Sequence, residues 1–416
     1  MNASSQSVPG RFPSRGGELI VGGRPISDIA REHGSPLYVY DLAVLRARRV
    51  ELRAALPGNL LITYAVKANP EPGIVRALGA LYDGVDIASG GEMRVALAAG
   101  VPAAKMSFAG PGKSREEIRF AVERDIGTLS LESERELDHI EEACASLGRA
   151  AGVMVRVNPD FEFTRSGLKM GGGSKQFGID SERVPALIQR LSASRHARFQ
   201  GIHIFSGTQN LNADSVVDAF RKIAEYTVGL RAATGAEVRT LNLGGGFGIP
   251  YFKGDQPLDL ARTGEGIGAL LAEFAPRLPG TAFKVELGRY LVGECGVYLA
   301  RVRYRKESRG QAFLILDGGM HHHLAASGNI SQSPIRRQMR LLAANRLDAP
   351  VEKVNVVGPL CTPLDTFGLG VELPRLEEGD FVAIPNSGAY GISMSPASFL
   401  GHPHPKEVLV DGEAAG

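Results

Sequence analysis

The chain has no tryptophan, and its three cysteines, Cys144, Cys295 and Cys361, are far apart with no C-x-x-C pair among them. So scattered and odd a set of thiols argues against a disulfide framework and against a zinc knuckle. No apolar run reaches the length of a membrane span. The opening residues, MNASSQSVPGRFPSRGGE, are polar and rich in Gly, Pro and Ser, without the apolar stretch of a secretory signal. A cytoplasmic protein with no membrane association is expected. A dominant charge is also missing. Forty-seven Lys and Arg face 45 Asp and Glu, a formal +2, and no basic block offers a footprint for nucleic acid. Finally, no G-x-G-x-x-G opens a helix after the first strand-like run, which removes the signature of a dinucleotide-binding sheet.

What is present is enough apolar sequence for more than one core: 416 residues, 44% hydrophobic and 22% charged. After a loose arm, short β-like pieces occur at Glu18–Val21 and Pro36–Tyr40. Eight apolar strands then alternate with amphipathic stretches such as Ser114–Arg124 and Ser133–Leu147. The strands are Leu61–Val66, Val85–Ala88, Met106–Ala109, Thr128–Leu131, Val153–Val157, Gly201–Phe205, Thr240–Leu243 and Ala282–Leu287. Eight β/α units of this length predict an α/β fold containing a (β/α)8 TIM barrel. Beyond residue 290 the helical period fades, and GVYLARVRYR, QAFLILDGG, EKVNVVGPL and DFVAIPNSG read as strands. The expected organisation is an N-terminal arm and strand (1–37) joining a C-terminal, mostly β domain (291–416), with the barrel at 38–290.

Barrel enzymes work at the C-terminal ends of their strands. There the sequence places Lys67, Ser89-Gly90-Gly91-Glu92, Glu132-Ser133, Asn158, Ser206-Gly207-Thr208, Gly244-Gly245-Gly246 and Gly288-Arg289. Most lysines are solvated surface residues. Lys67, however, ends an apolar strand, where desolvation would lower an amine pKa and favour Schiff-base chemistry. Consecutive glycines let backbone N–H groups approach an anion, though a plain tight turn uses them equally. Glu286 and Arg289 in E-L-G-R supply a carboxylate able to hold a pyridinium N–H and a guanidinium able to face a phosphate; a surface ion pair is the plainer alternative.

Taken in order, YAVKANP, GVDIASGGE, LNLGGGFG, ELGRYLVGE, GPLCTPLD and SGAYG resemble the motifs of the fold-type III pyridoxal-phosphate decarboxylases, which include the diaminopimelate, ornithine and arginine decarboxylases. NPDFEFTRSGLKMGGGSKQFGID, HIFSGTQN and DGGMHHHLAASGN are similar to the exosortase-system-associated and glutamyl-carrier-protein decarboxylases. The resemblance implies an alanine-racemase-like fold with pyridoxal 5'-phosphate as cofactor. It makes Lys67 the Schiff-base lysine and Glu286 the partner of the pyridine nitrogen. Gly245, Gly246, Thr208, Arg289 and Tyr390 become phosphate contacts. It also implies a homodimer with shared active sites, into which Cys361, as proton donor, and Asp365 enter from the β domain of the partner. An acid at Glu286 favours decarboxylation over racemisation, because a carboxylate keeps the pyridine nitrogen protonated.

Three departures bear on substrate. Where better-known members stack a histidine on the cofactor ring, this chain has Phe205, with His203 two residues before it; an aromatic face still stacks. Thr362 follows the cysteine where relatives carry a carboxylate that faces a distal ammonium. Ala325 lies near the place where diaminopimelate decarboxylases keep an arginine. An uncompensated buried ammonium costs several kcal/mol, so ornithine and lysine are disfavoured unless Asp365 suffices. The expected substrate is therefore an amino acid or an amino-acyl group, with a glutamyl group tethered to a carrier protein preferred. Diaminopimelate or basic amino acids remain the alternative, and a catalytically silent regulatory partner is a further one. His321, His322 and His323 would alternate faces on a strand and could not all bind one ion, so no metal is expected; they read as a loop near the site that contributes one histidine, His323, to substrate. Arg336, Arg337 and Arg340 read as a solvated helix face.

Overall fold

In the computed structural model, which describes residues 11–161, 168–169, 173–329 and 337–412, eight parallel strands close on themselves. We number them β1 (Leu61–Ala65), β2 (Gly84–Ile87), β3 (Met106–Phe108), β4 (Thr128–Leu131), β5 (Ala151–Asn158), β6 (Ala197–His203), β7 (Thr240–Gly245) and β8 (Ala282–Leu287). Closure is made by β8 against β1, with Glu286 opposite Thr63, and continuity on the far side by β4 against β5, with Leu129 opposite Val153. A parallel sheet needs a crossover after every strand, and the helical segments supply it. Their starts are written locally. Ser114 caps Arg115–Glu123 in a reciprocal capping box with Glu117, and Ser133 accepts the Glu136 N–H at the start of Glu134–Leu147. These strands and helices lie within a residue or two of the sequence expectation, apart from β5 and β6, which begin earlier.

The described chain forms two compact units: residues 49–249 with 256–290, which hold the barrel, and residues 1–48, 250–255 and 291–416. The second unit is mostly β. Its central strand, Gly296–Ser308, pairs antiparallel with Leu37–Asp41, Gln311–Leu316 and Phe381–Pro385, and Leu37–Asp41 also pairs with Lys406–Val410. The early strand thus belongs to this sheet. The three histidines fall in a loop, as expected. His321–His323 lie in a turn after Gln311–Leu316, all buried, with the His321 and His322 rings 3.7 Å apart. Arg337 is not on a helix: it pairs with Asp255 at 3.0 Å and covers the Phe252 ring at 4.1 Å. Arg336 and part of the NPDFEFTRSGLKMGGG motif lie outside the described residues.

The barrel interior departs from the usual filling of Val, Ile and Leu. Lys284 on β8 donates to Ser107 on β3 at 2.9 Å, and Ser130 on β4 meets His203 on β6 at 2.8 Å. These strands are not neighbours, so the contacts cross the lumen. A second buried group braces the ends of β3 to β5. Lys113 Nζ donates to the carbonyls of Gly110 and Ser130 at 2.7 and 2.8 Å and lies 2.6 Å from Glu136 Oε1. Glu132 accepts from Gly110 N and Arg156. Removing one member of a buried ionic group leaves a charge uncompensated. Lys113→Ala should therefore lower the unfolding free energy by about 3–5 kcal/mol, read from denaturant titration.

Candidate active site

Lys67 sits in a single 3-10 turn, Val66–Ala68, directly after β1. Val66 and Ala68 are buried while Lys67 is exposed, so the turn anchors itself on both sides and presents the amine. Asn69 locks the turn by receiving the Tyr64 hydroxyl on its carbonyl at 2.7 Å and the Glu71 N–H on its side chain at 3.0 Å. The expected desolvated amine is not what surrounds Lys67. Its Nζ lies 5.4 Å from the centre of the Phe205 ring, and the carboxylates of Asp86, Glu92 and Glu286 all act on it electrostatically.

Glu286, on the last inward position of β8, is 4% exposed. It receives the Asn242 side-chain amide from β7, and His203 Nε2 lies 3.4 Å and Lys284 Nζ 4.0 Å away. Burial works against its charge, yet the nearby His203, Lys284 and Lys67 outweigh burial and hold the carboxyl well below the usual range. The buried His203 imidazole is itself pushed down by desolvation, partly opposed by Glu286. With Nδ1 on Ser130 and Nε2 toward Glu286, His203 acts on the carboxylate from within the lumen. Asp86, at the end of β2, is the counterpart. Burial first and then Glu286 raise it to about 8, against the pull of Lys67, Lys284 and Ser107. Two carboxyls share one buried space, and the first proton goes to Asp86.

The glycines answer to backbone packing. A Cβ on Gly245 would lie 1.8 Å from the Glu286 carbonyl, and one on Gly246, where φ is +92°, 2.3 Å from the Gly207 carbonyl. Asn210 N bonds to Gly246 O at 2.8 Å, zipping the loop after β6 to the loop after β7. Thr208 lies in that first loop, half-buried, and half-buried Arg289 opens the short helix Arg289–Val292 after β8. Gathered at one end of the barrel are thus an amine, an ionised carboxylate, an aromatic face and glycine-bearing loops whose chains approach closely.

In the β unit the predicted residues separate into two kinds. Cys361 is exposed and Thr362 half-buried, on a loop that also carries exposed Leu364. Tyr390, half-buried, sits at φ +53°, an uncommon backbone for a non-glycine residue. Asp365 and His323, in contrast, are taken up by the fold. Asp365 is buried, with one oxygen accepting Met320 N at 2.7 Å and the other Leu360 N at 2.8 Å. His323 is fully buried, its Nε2 on Ser387 and its Nδ1 receiving Ala326 N, and burial pushes it down to about 3. Within the chain Asp365 thus braces a loop and His323 packs in the core.

Residues 42–293 match the family described as pyridoxal-dependent decarboxylase, pyridoxal binding domain. The chain belongs to the pyridoxal-dependent decarboxylases. The decarboxylase is 37% identical over 387 residues to the L-glutamyl-[BtrI acyl-carrier protein] decarboxylase of Niallia circulans, covering 92% of this chain and 90% of the relative. It is 31% identical to the diaminopimelate decarboxylase of Aquifex aeolicus, covering 95% and 91%. It superimposes on the diaminopimelate decarboxylase of M. jannaschii, solved in complex with L-lysine, with a TM-score of 0.88 at 28% identity over 97% of this chain and 93% of that one. The cofactor of the decarboxylase is pyridoxal phosphate, and the donor set fits it: a primary amine for its aldehyde, and a buried carboxylate already ionised for its ring nitrogen.

Reading the decarboxylase sequence did not single out Asp86, Ser107, Ser130, Asn242 or Lys284. Asp86 stands inside GVDIASGGE, and Lys284 is two residues before Glu286 on the same strand face, a signal available from the period of two. Two outcomes are expected. Borohydride treatment of the holoenzyme should fix the cofactor to the peptide containing Lys67, and Lys67→Ala should abolish that mass increment. Between the ordinary 3.8 and about 8, folded Asp86 keeps a proton that the unfolded chain has lost, so its contribution to stability declines as pH rises through that window. Asp86→Asn should remove this part of the slope, as read by denaturant unfolding near pH 5 and pH 8.

Proposed function

We propose that the enzyme removes the α-carboxylate of an amino-acyl substrate whose distal group carries no charge, with a glutamyl group tethered to a carrier protein as the best fit. The observation that carries this reading is Asp365. With Thr362 in place of a carboxylate, Asp365 was the remaining acid for a distal ammonium, and both of its oxygens are committed to Met320 and Leu360 N–H groups. An ammonium placed by that loop would find no carboxylate at position 362 and would have to share one that already holds two backbone N–H groups. Similarity to a decarboxylase named for a glutamyl carrier protein supports the same reading.

When bound, pyridoxal phosphate supplies the electron sink for the pair that CO2 leaves on the substrate Cα. The residues of the chain do the rest. Lys67 Nζ forms and yields the covalent attachment. Phe205 offers a face for the ring, and Glu286 keeps a proton at the ring nitrogen because its own carboxyl stays ionised. Gly245, Gly246, Thr208, Arg289 and Tyr390 are the proposed phosphate contacts. Cys361 from a second copy is the proposed proton donor to Cα, which makes the working form a homodimer, and a cytoplasmic one. The exposure of the Cys361 loop supports this role.

Carbon-dioxide release should be found with a glutamyl-loaded carrier protein and be weak with diaminopimelate, ornithine and lysine. Efficient release from any of those three would overturn the substrate reading. Cys361→Ala should slow product formation roughly 10²–10⁴-fold, the range for losing a general acid. Mixing it with Lys67→Ala should recover part of the activity if sites are shared between copies.

A further inference from the structure

Lys284 has no part in the chemistry assigned so far. It lies on β8 two residues before Glu286, so both side chains face the lumen with Lys284 one layer deeper. It is 8% exposed. Its Nζ donates to Ser107 Oγ at 2.9 Å and lies 4.0 Å from Glu286 Oε1, and Ser107 Oγ donates in turn to Asp86 Oδ1 at 2.9 Å. An ammonium is costly to bury. In this position it lies between two carboxyls from strands two apart in the barrel, one reached directly and one through a hydroxyl. The charged and titratable groups facing Glu286 are His203 from β6, Lys67 after β1, Asp86 from β2 and Lys284; Arg156 from β5 acts on His203, and Glu92 acts on Lys67. Lys67 is exposed and must exchange covalent partners during the reaction. Lys284 is the buried cation that stays in place throughout.

We infer that Lys284 is a positioning residue for the cofactor-facing carboxylate: from beneath, its ammonium keeps Glu286 ionised and holds the Ser107 hydroxyl that hydrogen-bonds Asp86. This rests on the reading of Glu286 as the partner of the ring nitrogen. The direction of donation ties the two acids to one cation, since Lys284 donates to Ser107 and Ser107 to Asp86. Glu286 also receives Asn242. Lys284 and Asn242 therefore stay beside Glu286 whatever the covalent state of Lys67.

The test follows two signals with pH in wild type, Lys284→Met, Lys284→Arg, Ser107→Ala and Glu286→Gln. One is the absorbance of bound cofactor in the holoenzyme. The other is the infrared band of protonated carboxyl in the cofactor-free protein, assigned to Glu286 by its loss in Glu286→Gln. In Lys284→Met the Glu286 midpoint should rise by about one pH unit or more, the scale for losing a unit charge at this separation. Lys284→Arg should keep the wild-type midpoint, and Ser107→Ala should move the Asp86 signal while leaving that of Glu286. An unchanged Glu286 midpoint in Lys284→Met overturns the inference. Should Lys284→Met fail to fold, Lys284→Met combined with Asp86→Asn removes a buried acid along with the cation and reads the same midpoint. If Glu286→Gln leaves the cofactor spectrum unaltered, the placement of Glu286 at the ring fails. The infrared arm still decides the role of Lys284.

Discussion

A carboxylate that must stay charged inside a barrel sets the terms for the rest of the lumen. Glu286 is nearly sealed from water, and an unpaired anion in that setting would take up a proton. Asn242, His203 and Lys284 surround it, and Lys284 in turn engages Ser107 and Asp86. Six of the eight strands, β2, β3, β4, β6, β7 and β8, give an inward polar side chain to this one network. Closure of the barrel is what brings them within reach, since Ser107 and Lys284 lie on strands that never pair.

Charge at the core has consequences at the rim. The loops that follow β6, β7 and β8 approach so closely that Gly245 and Gly246 have no space for a side chain. Lys67 is then presented from a turn whose neighbours are buried, toward the Phe205 ring and within the influence of three carboxyls. In the β unit the same economy appears differently. Asp365 and His323 look chemically available in the sequence and bond to backbone and hydroxyl partners within the chain, while Cys361, near Asp365 in sequence, stays exposed.

Much of this was legible beforehand. Strand positions follow from apolar runs of four to eight residues separated by capped helices, and Ser114 and Ser133 announce two of those helices through contacts within four residues. Lys67, Glu286 and the glycines stand out because each follows or ends a strand. The loop at His321–His323 was legible too, but local pattern does not show that all three rings find burial at once. Lys284 passed unnoticed because an isolated lysine in a strand carries no local mark of its partner.

By itself, then, the sequence determined the order of elements, the closed parallel barrel with its β companion, and the family with its cofactor, all of which rest on short-range periodicity and on motifs read in order. Tertiary structure alone decided the ionisation of Glu286, the proton on Asp86, the burial of Lys284 and the engagement of Asp365. Each of these depends on charges and hydrogen-bond partners from strands far apart in the chain. Electrostatic energy is set by distance and burial, and neither exists until the barrel has closed.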